Sequence, residues 1–293
     1  MSRLVTAAAV QMQCSPDPAQ SLAKAEAAIR KAAADGAQII LMPELFERQY
    51  FCQERRYEYY AFAQITEDNP AVLRCMELAK ELGVVLPVSF YERDGSRLFN
   101  SAAVIDADGT LLGVYRKTHI PDDHYYQEKF YFSPGNTGFR TWKTRYATIG
   151  VGICWDQWFP ETARSLVLNG AELLFYPTAI GSEPILDTDS EPHWQTCMQG
   201  HAACNLTPVI AANRIGLECV SPCAENGMQS SALQFYGSSF LTMETGAIAE
   251  QADRQTEAVL LHTYDLDKIA QEKLDWGLFR DRRPHCYGDI TAP

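Results

Sequence analysis

Apolar residues in this chain fall into short blocks that switch between strand and helix spacing. Residues 4–12 form an almost unbroken apolar run of strand length, the pattern of a strand buried on both faces. Asp17-Pro18 then supplies a cap and a first-turn proline, and Leu22, Ala25, Ile29 and Ala33 recur at helical spacing until Gly36 stops them. Residues 37–42 predict a second short strand, ended by Pro43-Glu44. Leu73, Met76, Leu78, Ala79 and Leu82 predict a helix that Gly83 breaks. Strands are expected over 84–91, 98–106 and 111–117, with a hairpin turn at Ala107-Asp108-Gly109.

A loop rich in aromatic and charged residues, 120–138, precedes an apolar run over 146–153 with the β-branched and glycine content of a buried strand. That run breaks at Cys154, and Pro160 suits the first position of a helix whose Ala163, Leu166 and Val167 share one face before Asn169-Gly170. Further on, 172–176 and 209–213 read as strands, 192–204 as a helix, and 233–251 as a hairpin turning at Glu244-Thr245-Gly246. Strand–helix alternation interrupted by hairpins predicts an α/β fold with two mixed sheets and helices packed outside.

The 293 residues, 46% of them apolar, suffice for a full core, and no repeat or linker divides them, so a single domain over 1–293 is expected. A formal charge of -12 without any basic run argues against nucleic acid and anionic membranes as partners. No apolar segment is long enough to span a bilayer, and the start lacks the pattern of a signal peptide. Nine cysteines, scattered without a paired framework, read as reduced thiols in the cytoplasm. The six histidines show no metal-ligand spacing, and the glycines form neither a dinucleotide nor a Walker fingerprint. Neither a metal nor a cofactor is expected. Cys219 and Cys223, in a loop containing Pro, Asn and Gly, read as plain thiols.

Cys154, at a strand-to-helix turn, has the rigid support and exposed sulfur that a nucleophile needs. A small apolar core residue is the alternative. Glu44 and Lys117 also fall at strand ends, where loops converge in layered α/β folds. If the three meet, the glutamate can take the thiol proton and the ammonium can stabilise an oxyanion. Taken singly, Glu44 reads equally as a surface strand end, Lys117 as a solvated hairpin end, and Glu128-Lys129 as a surface ion pair. A cysteine–histidine pair using His119 is the rival mechanism.

Leu41-Met42-Pro43-Glu44, Tyr115-Arg116-Lys117-Thr118-His119, Gln127-Glu128-Lys129-Phe130-Tyr131-Phe132 and Gly152-Ile153-Cys154-Trp155-Asp156 resemble, in order and spacing, the four signature segments of the nitrilase superfamily of carbon–nitrogen hydrolases. The resemblance implies an αββα sandwich that forms homo-oligomers through helices near the active site. It also implies Glu44 as general base, Lys117 as electrostatic stabiliser, Cys154 as nucleophile, and Glu128 as the glutamate that orients the lysine and the substrate amide.

Within the superfamily, the segments 154–161 and 176–184 most resemble the N-carbamoylputrescine amidohydrolases, implying a small carbamoyl diamine as substrate. Glu183 would receive its free ammonium, with Asp122 or Asp123 as substitutes, and Tyr50 and Trp155 would line the slot. The chain departs from that group at Asp123-His124-Tyr125, where Gly-Pro-Gly is common, and at Asn136, where aspartate is usual. A related amidase acting on a carbamoyl amino acid or a dicarboxylate monoamide would need a cationic pocket, whereas the segments here are aromatic and acidic. A non-catalytic scaffold would not need all four ionisable positions.

Overall fold

The computed structural model describes residues 2–182 and 189–292. It begins β1 (Leu4–Gln11), α1 (Pro18–Ala34), β2 (Ile39–Leu41), α2 (Pro70–Leu82), β3 (Leu86–Asp94), β4 (Arg97–Ile105) and β5 (Leu111–Arg116). Then come β6 (Thr141–Lys143), β7 (Thr148–Val151), α3 (Pro160–Leu168), β8 (Leu173–Pro177), β9 (Gly181–Ser182), α4 (Glu191–Asn205), β10 (Val209–Ala212) and β11 (Ile215–Val220). It closes with β12 (Ser231–Tyr236), β13 (Phe240–Thr242), β14 (Ile248–Gln251), β15 (Ala258–Asp265) and α5 (Leu266–Trp276).

Two mixed sheets face one another. In the first, β1 lies between antiparallel β15 and parallel β2. A single parallel bridge, Ile39 to Val85, carries this sheet on to the β3–β4–β5 meander. The second has the order β14-β13-β10-β8-β7-β6, with β10, β8 and β7 parallel at its centre. Strand alternation explains why β1 is apolar throughout. Ala7 and Ala9 pack between the sheets with Ile149, Phe175 and Ile210, while Ala8 and Val10 face Ile29 of α1 and Leu78 of α2. On the outer face of the second sheet, Ala163 and Leu166 of α3 join Trp194 and Met198 of α4. The expected αββα sandwich is therefore the fold.

The helix starts follow their caps. The Asp17 carboxylate accepts from Ala19 N–H, and the Asn69 side chain accepts from Ala71 and Val72 N–H, each just before a proline. The second cap places the start of α2 at Pro70, earlier than apolar spacing alone suggests.

Two expectations need correction. The stretch 233–251 is not one hairpin: β12 pairs back onto β11 and onto β9, and only β13–β14 turns at Glu244-Thr245-Gly246. The chain is broken at Gly237 and Ser238, both left-handed, where a Cβ on Gly237 would lie 2.5 Å from Ile215 Cγ2. Cys219 is not in a loop either, but on β11.

The fold brings one rim together. Glu44 follows β2, Cys154 follows β7, Ala179 follows β8 and Asn213-Arg214 follows β10, all at the carboxyl ends of parallel strands. Lys117 directly follows β5.

Candidate active site

Cys154 opens a short 3-10 turn, Cys154–Trp158, between β7 and α3. Its φ of 41° is left-handed, unusual for a residue with a side chain. The buried Asp156 carboxylate anchors this turn. One oxygen accepts from Ile153 N–H (3.0 Å) and Tyr115 O–H (2.7 Å), the other from His119 N–H (3.0 Å) and His119 Nδ1 (2.7 Å). The His119 ring also stacks on Phe159 with centroids 3.6 Å apart. His119 thus braces the turn and does not line the cleft beside Cys154. The Cys154 sulfur lies 3.7 Å from Ala179 O, and burial pushes its thiol well above the usual range.

Glu44, Lys117 and Glu128 meet in one fully buried cluster. Lys117 Nζ donates to Glu44 Oε1 at 2.8 Å and to both Glu128 oxygens at 2.8 and 2.7 Å. The surface readings of these three residues are thereby set aside. Asn100 Nδ2 adds a second bond to Glu44 Oε1 at 2.6 Å, while Glu44 Oε2 is buried without a partner among the described residues. Burial works against the Lys117 ammonium, but Glu128 and Glu44 outweigh it and hold its pKa well above the ordinary lysine value. Burial likewise opposes ionisation of Glu128, whose pKa is raised to about 7; Lys117 pulls it down and Glu44 pushes it up.

Backbone supports complete the cluster. Arg214, itself fully buried, donates to Glu44 O (2.7 Å) and Leu45 O (3.0 Å), fixing a bend where Leu45 has φ 47°. Glu218 pairs with Arg214 and accepts from Tyr50 N–H, and the Tyr50 hydroxyl donates to Glu128 at 2.6 Å.

A cleft of about 320 Å³ opens over Cys154, walled by Trp155, Trp158, Ile180 and His193, with Asp123 and Glu128 as its acids. Trp155 lies where the sequence places it. Tyr50 does not line this cleft but stands behind Glu128. Asp122 does not line this cleft and lies 3.8 Å from Arg55 in an outer hollow, whereas Asp123, paired with Tyr126, borders both that hollow and the cleft. Glu183 lies outside the described residues. Asn136, the other departure, accepts from Arg116 at 2.9 Å. Among the described residues no group of three or more His, Cys, Asp or Glu is arranged to hold a metal, and no helix is long and apolar enough to cross a membrane.

Asn100, Asn213 and Arg214 were not anticipated. Asn213 holds Ile180 of the cleft wall at both its N–H and its carbonyl. The only sign of each in the sequence is a polar residue at the edge of, or inside, an apolar run.

Residues 6–273 match the model of the carbon-nitrogen hydrolase family. The chain belongs to this family. It is 53% identical over 286 residues to N-carbamoylputrescine amidase of Arabidopsis thaliana, covering 97% of this chain and 94% of the relative. It is 50% identical over 288 residues to citrullinase of Francisella tularensis subsp. tularensis, covering 98% of each. Among solved structures, a carbon-nitrogen hydrolase from Helicobacter pylori G27 superposes with a TM-score of 0.90 at 33% identity, covering 99% of each chain. In a carbon–nitrogen hydrolase, a thiol beside a buried carboxylate–ammonium cluster is equipped for acyl transfer.

Proposed function

We propose that this protein hydrolyses N-carbamoylputrescine to putrescine, carbon dioxide and ammonia. The observation that carries the substrate assignment is the charge of the cleft. Its described lining contains the acids Asp123 and Glu128 and no lysine or arginine. In the sequence, the residues 183–188 include Glu183 and Asp187 and no basic residue. A diamine's free ammonium suits such a slot with aromatic walls, whereas a carboxylate would be left unpaired. The relatives named N-carbamoylputrescine amidase support the same reading. Glu183 remains the proposed partner of the ammonium, and Asp123, which lines the cleft, is the alternative acid.

The geometry supports the following roles. Cys154 is the nucleophile; as its sulfur bonds to the ureido carbon, its proton passes to Glu44. Lys117, with the Trp155 N–H, stabilises the oxyanion. One C–N bond breaks as Glu44 protonates the departing nitrogen, leaving a thioester-type intermediate on Cys154. Water, deprotonated by Glu44, displaces the sulfur, which regains the proton. The carbamic acid product then falls apart to carbon dioxide and the remaining amine. Glu128 holds Lys117 and accepts from the substrate's N–H. The single domain is proposed to work in the cytoplasm, in keeping with nine free thiols. It is proposed to be a homo-oligomer contacting its copies near α3, where Leu168 is exposed.

Release of putrescine and ammonia tests this. N-carbamoylputrescine should be preferred over citrulline, carbamoyl β-alanine and uncharged butylurea. Preference for a carbamoyl amino acid would overturn the diamine assignment. In a second experiment, Glu183→Gln should raise KM for N-carbamoylputrescine and leave butylurea nearly unchanged, since only the first loses a charge-assisted contact worth roughly 1.5–3 kcal/mol.

A further inference from the structure

We propose that Asn100 is a positioning residue that divides the two oxygens of Glu44 between holding and reacting; this rests on Glu44 being the base of the reaction proposed above. Asn100 lies within β4, its side chain fully buried in a strand whose other inward positions are mostly apolar. A buried carboxamide is costly there and packing does not call for it. Its Nδ2 donates 2.6 Å to Glu44 Oε1, the same oxygen that takes Lys117 Nζ at 2.8 Å. Two donors converge on Oε1 from different elements, β4 and the end of β5. An ionised carboxylate oxygen so engaged has little capacity left for a third bond. Oε2 keeps its lone pairs, and no described residue competes for them.

The consequence is directional. With Oε1 tied at two points the carboxylate cannot rotate, so only Oε2 is open to the thiol proton. That proton moves from sulfur to Oε2 as the S–C bond forms, and from Oε2 to the departing nitrogen as the C–N bond breaks. In the second half, Oε2 takes a proton from water and returns it to the sulfur as the C–S bond breaks. Each proton accepted by Oε2 is thus given up within the same half-reaction.

Asn100 also ties the base to the lysine. Its backbone carbonyl accepts from Lys117 N–H at 2.8 Å, so one residue sets the height of Lys117 just after β5 and the tilt of Glu44 beyond β2. Changing the side chain leaves that backbone bond in place, which separates the two roles experimentally.

The test compares wild type, Asn100→Leu, Asn100→Asp and Glu44→Gln on N-carbamoylputrescine, with kcat and KM measured separately and folding checked by circular dichroism. Asn100→Leu should lower kcat at neutral pH by about 10- to 100-fold with KM little changed. Asn100→Asp, near-identical in size to asparagine, removes the donor and sets a second carboxyl beside Glu44. It should lose at least as much kcat, and it reads the same effect should the leucine variant fail to fold. An unchanged kcat in a folded variant, or a loss confined to KM, would overturn the role of Asn100. If Glu44→Gln is inactive while Asn100→Leu keeps the wild-type kcat, this inference alone fails. If Glu44→Gln keeps substantial activity, the base assignment falls, and this inference with it.

Discussion

Glu44, Lys117 and Glu128 set two carboxylates against one ammonium in a space closed to solvent. Such a cluster is costly, and Glu128 records the cost. Burial raises its pKa from 4.5 to about 7. Between those values the folded protein holds a proton that the unfolded chain has released, so stability falls as pH rises through the window. Glu128→Gln, which leaves Lys117 paired with Glu44, should therefore melt at a higher temperature than wild type at pH 8. The gain should shrink towards pH 5, while turnover drops by orders of magnitude. Melting curves at the two pH values check this, and an equal shift at both would contradict it. Glu44→Gln and Lys117→Ala should each lose several orders of magnitude in kcat. His119→Ala should lose much less, because its imidazole braces Asp156 and Phe159. A loss for His119→Ala as large as for Glu44→Gln would favour a cysteine–histidine mechanism. At this scale Cys154, Glu44, Lys117 and Glu128 were legible from motif order. Asn100 and Arg214 were not, because their partners lie 56 and 170 residues away in the chain. Asp122 and Asp123 could not be ranked in sequence either, since only the folded loop shows which of them lines the cleft.

The strand-to-helix turn at Cys154 shows what an element contributes. Close packing lets β7 run directly into the turn: a Cβ on Gly152 would meet Tyr176 Cε1 at 2.7 Å and Thr162 Cγ2 at 3.0 Å. Gly152→Ala should therefore destabilise the protein by about 1–3 kcal/mol and disturb the nucleophile beside it. Urea unfolding measures the first effect, and an unchanged midpoint would contradict the packing argument. Helices and strands with strong signals, such as α1, α3 and the β4–β5 hairpin, were legible because capping and turn chemistry are local. The split of 233–251 into β12 and β13–β14 was not. It depends on β11, whose pattern is weak because Leu217 stays exposed, and on a left-handed pair at Gly237-Ser238.

Across the whole molecule, the two sheets bring residues from both halves of the chain to one rim, while Leu168 of α3, near the proposed contact with another copy, is exposed. Sedimentation at micromolar concentration should find an oligomer; a monomer would contradict the proposed association. The same architecture sets up the most direct test of the central claim, that the buried cluster activates Cys154. Nine free thiols compete for an alkylating reagent, and by accessibility Cys204, Cys219 and Cys286 should react before the buried Cys154. Iodoacetamide carries an amide and can enter the cleft as a substrate does. At stoichiometric dose, peptide mass spectrometry should find Cys154 modified first in wild type, and that preference should vanish in Glu44→Gln. Labelling that simply follows exposure in wild type, or a Cys154 preference untouched by Glu44→Gln, would contradict the account.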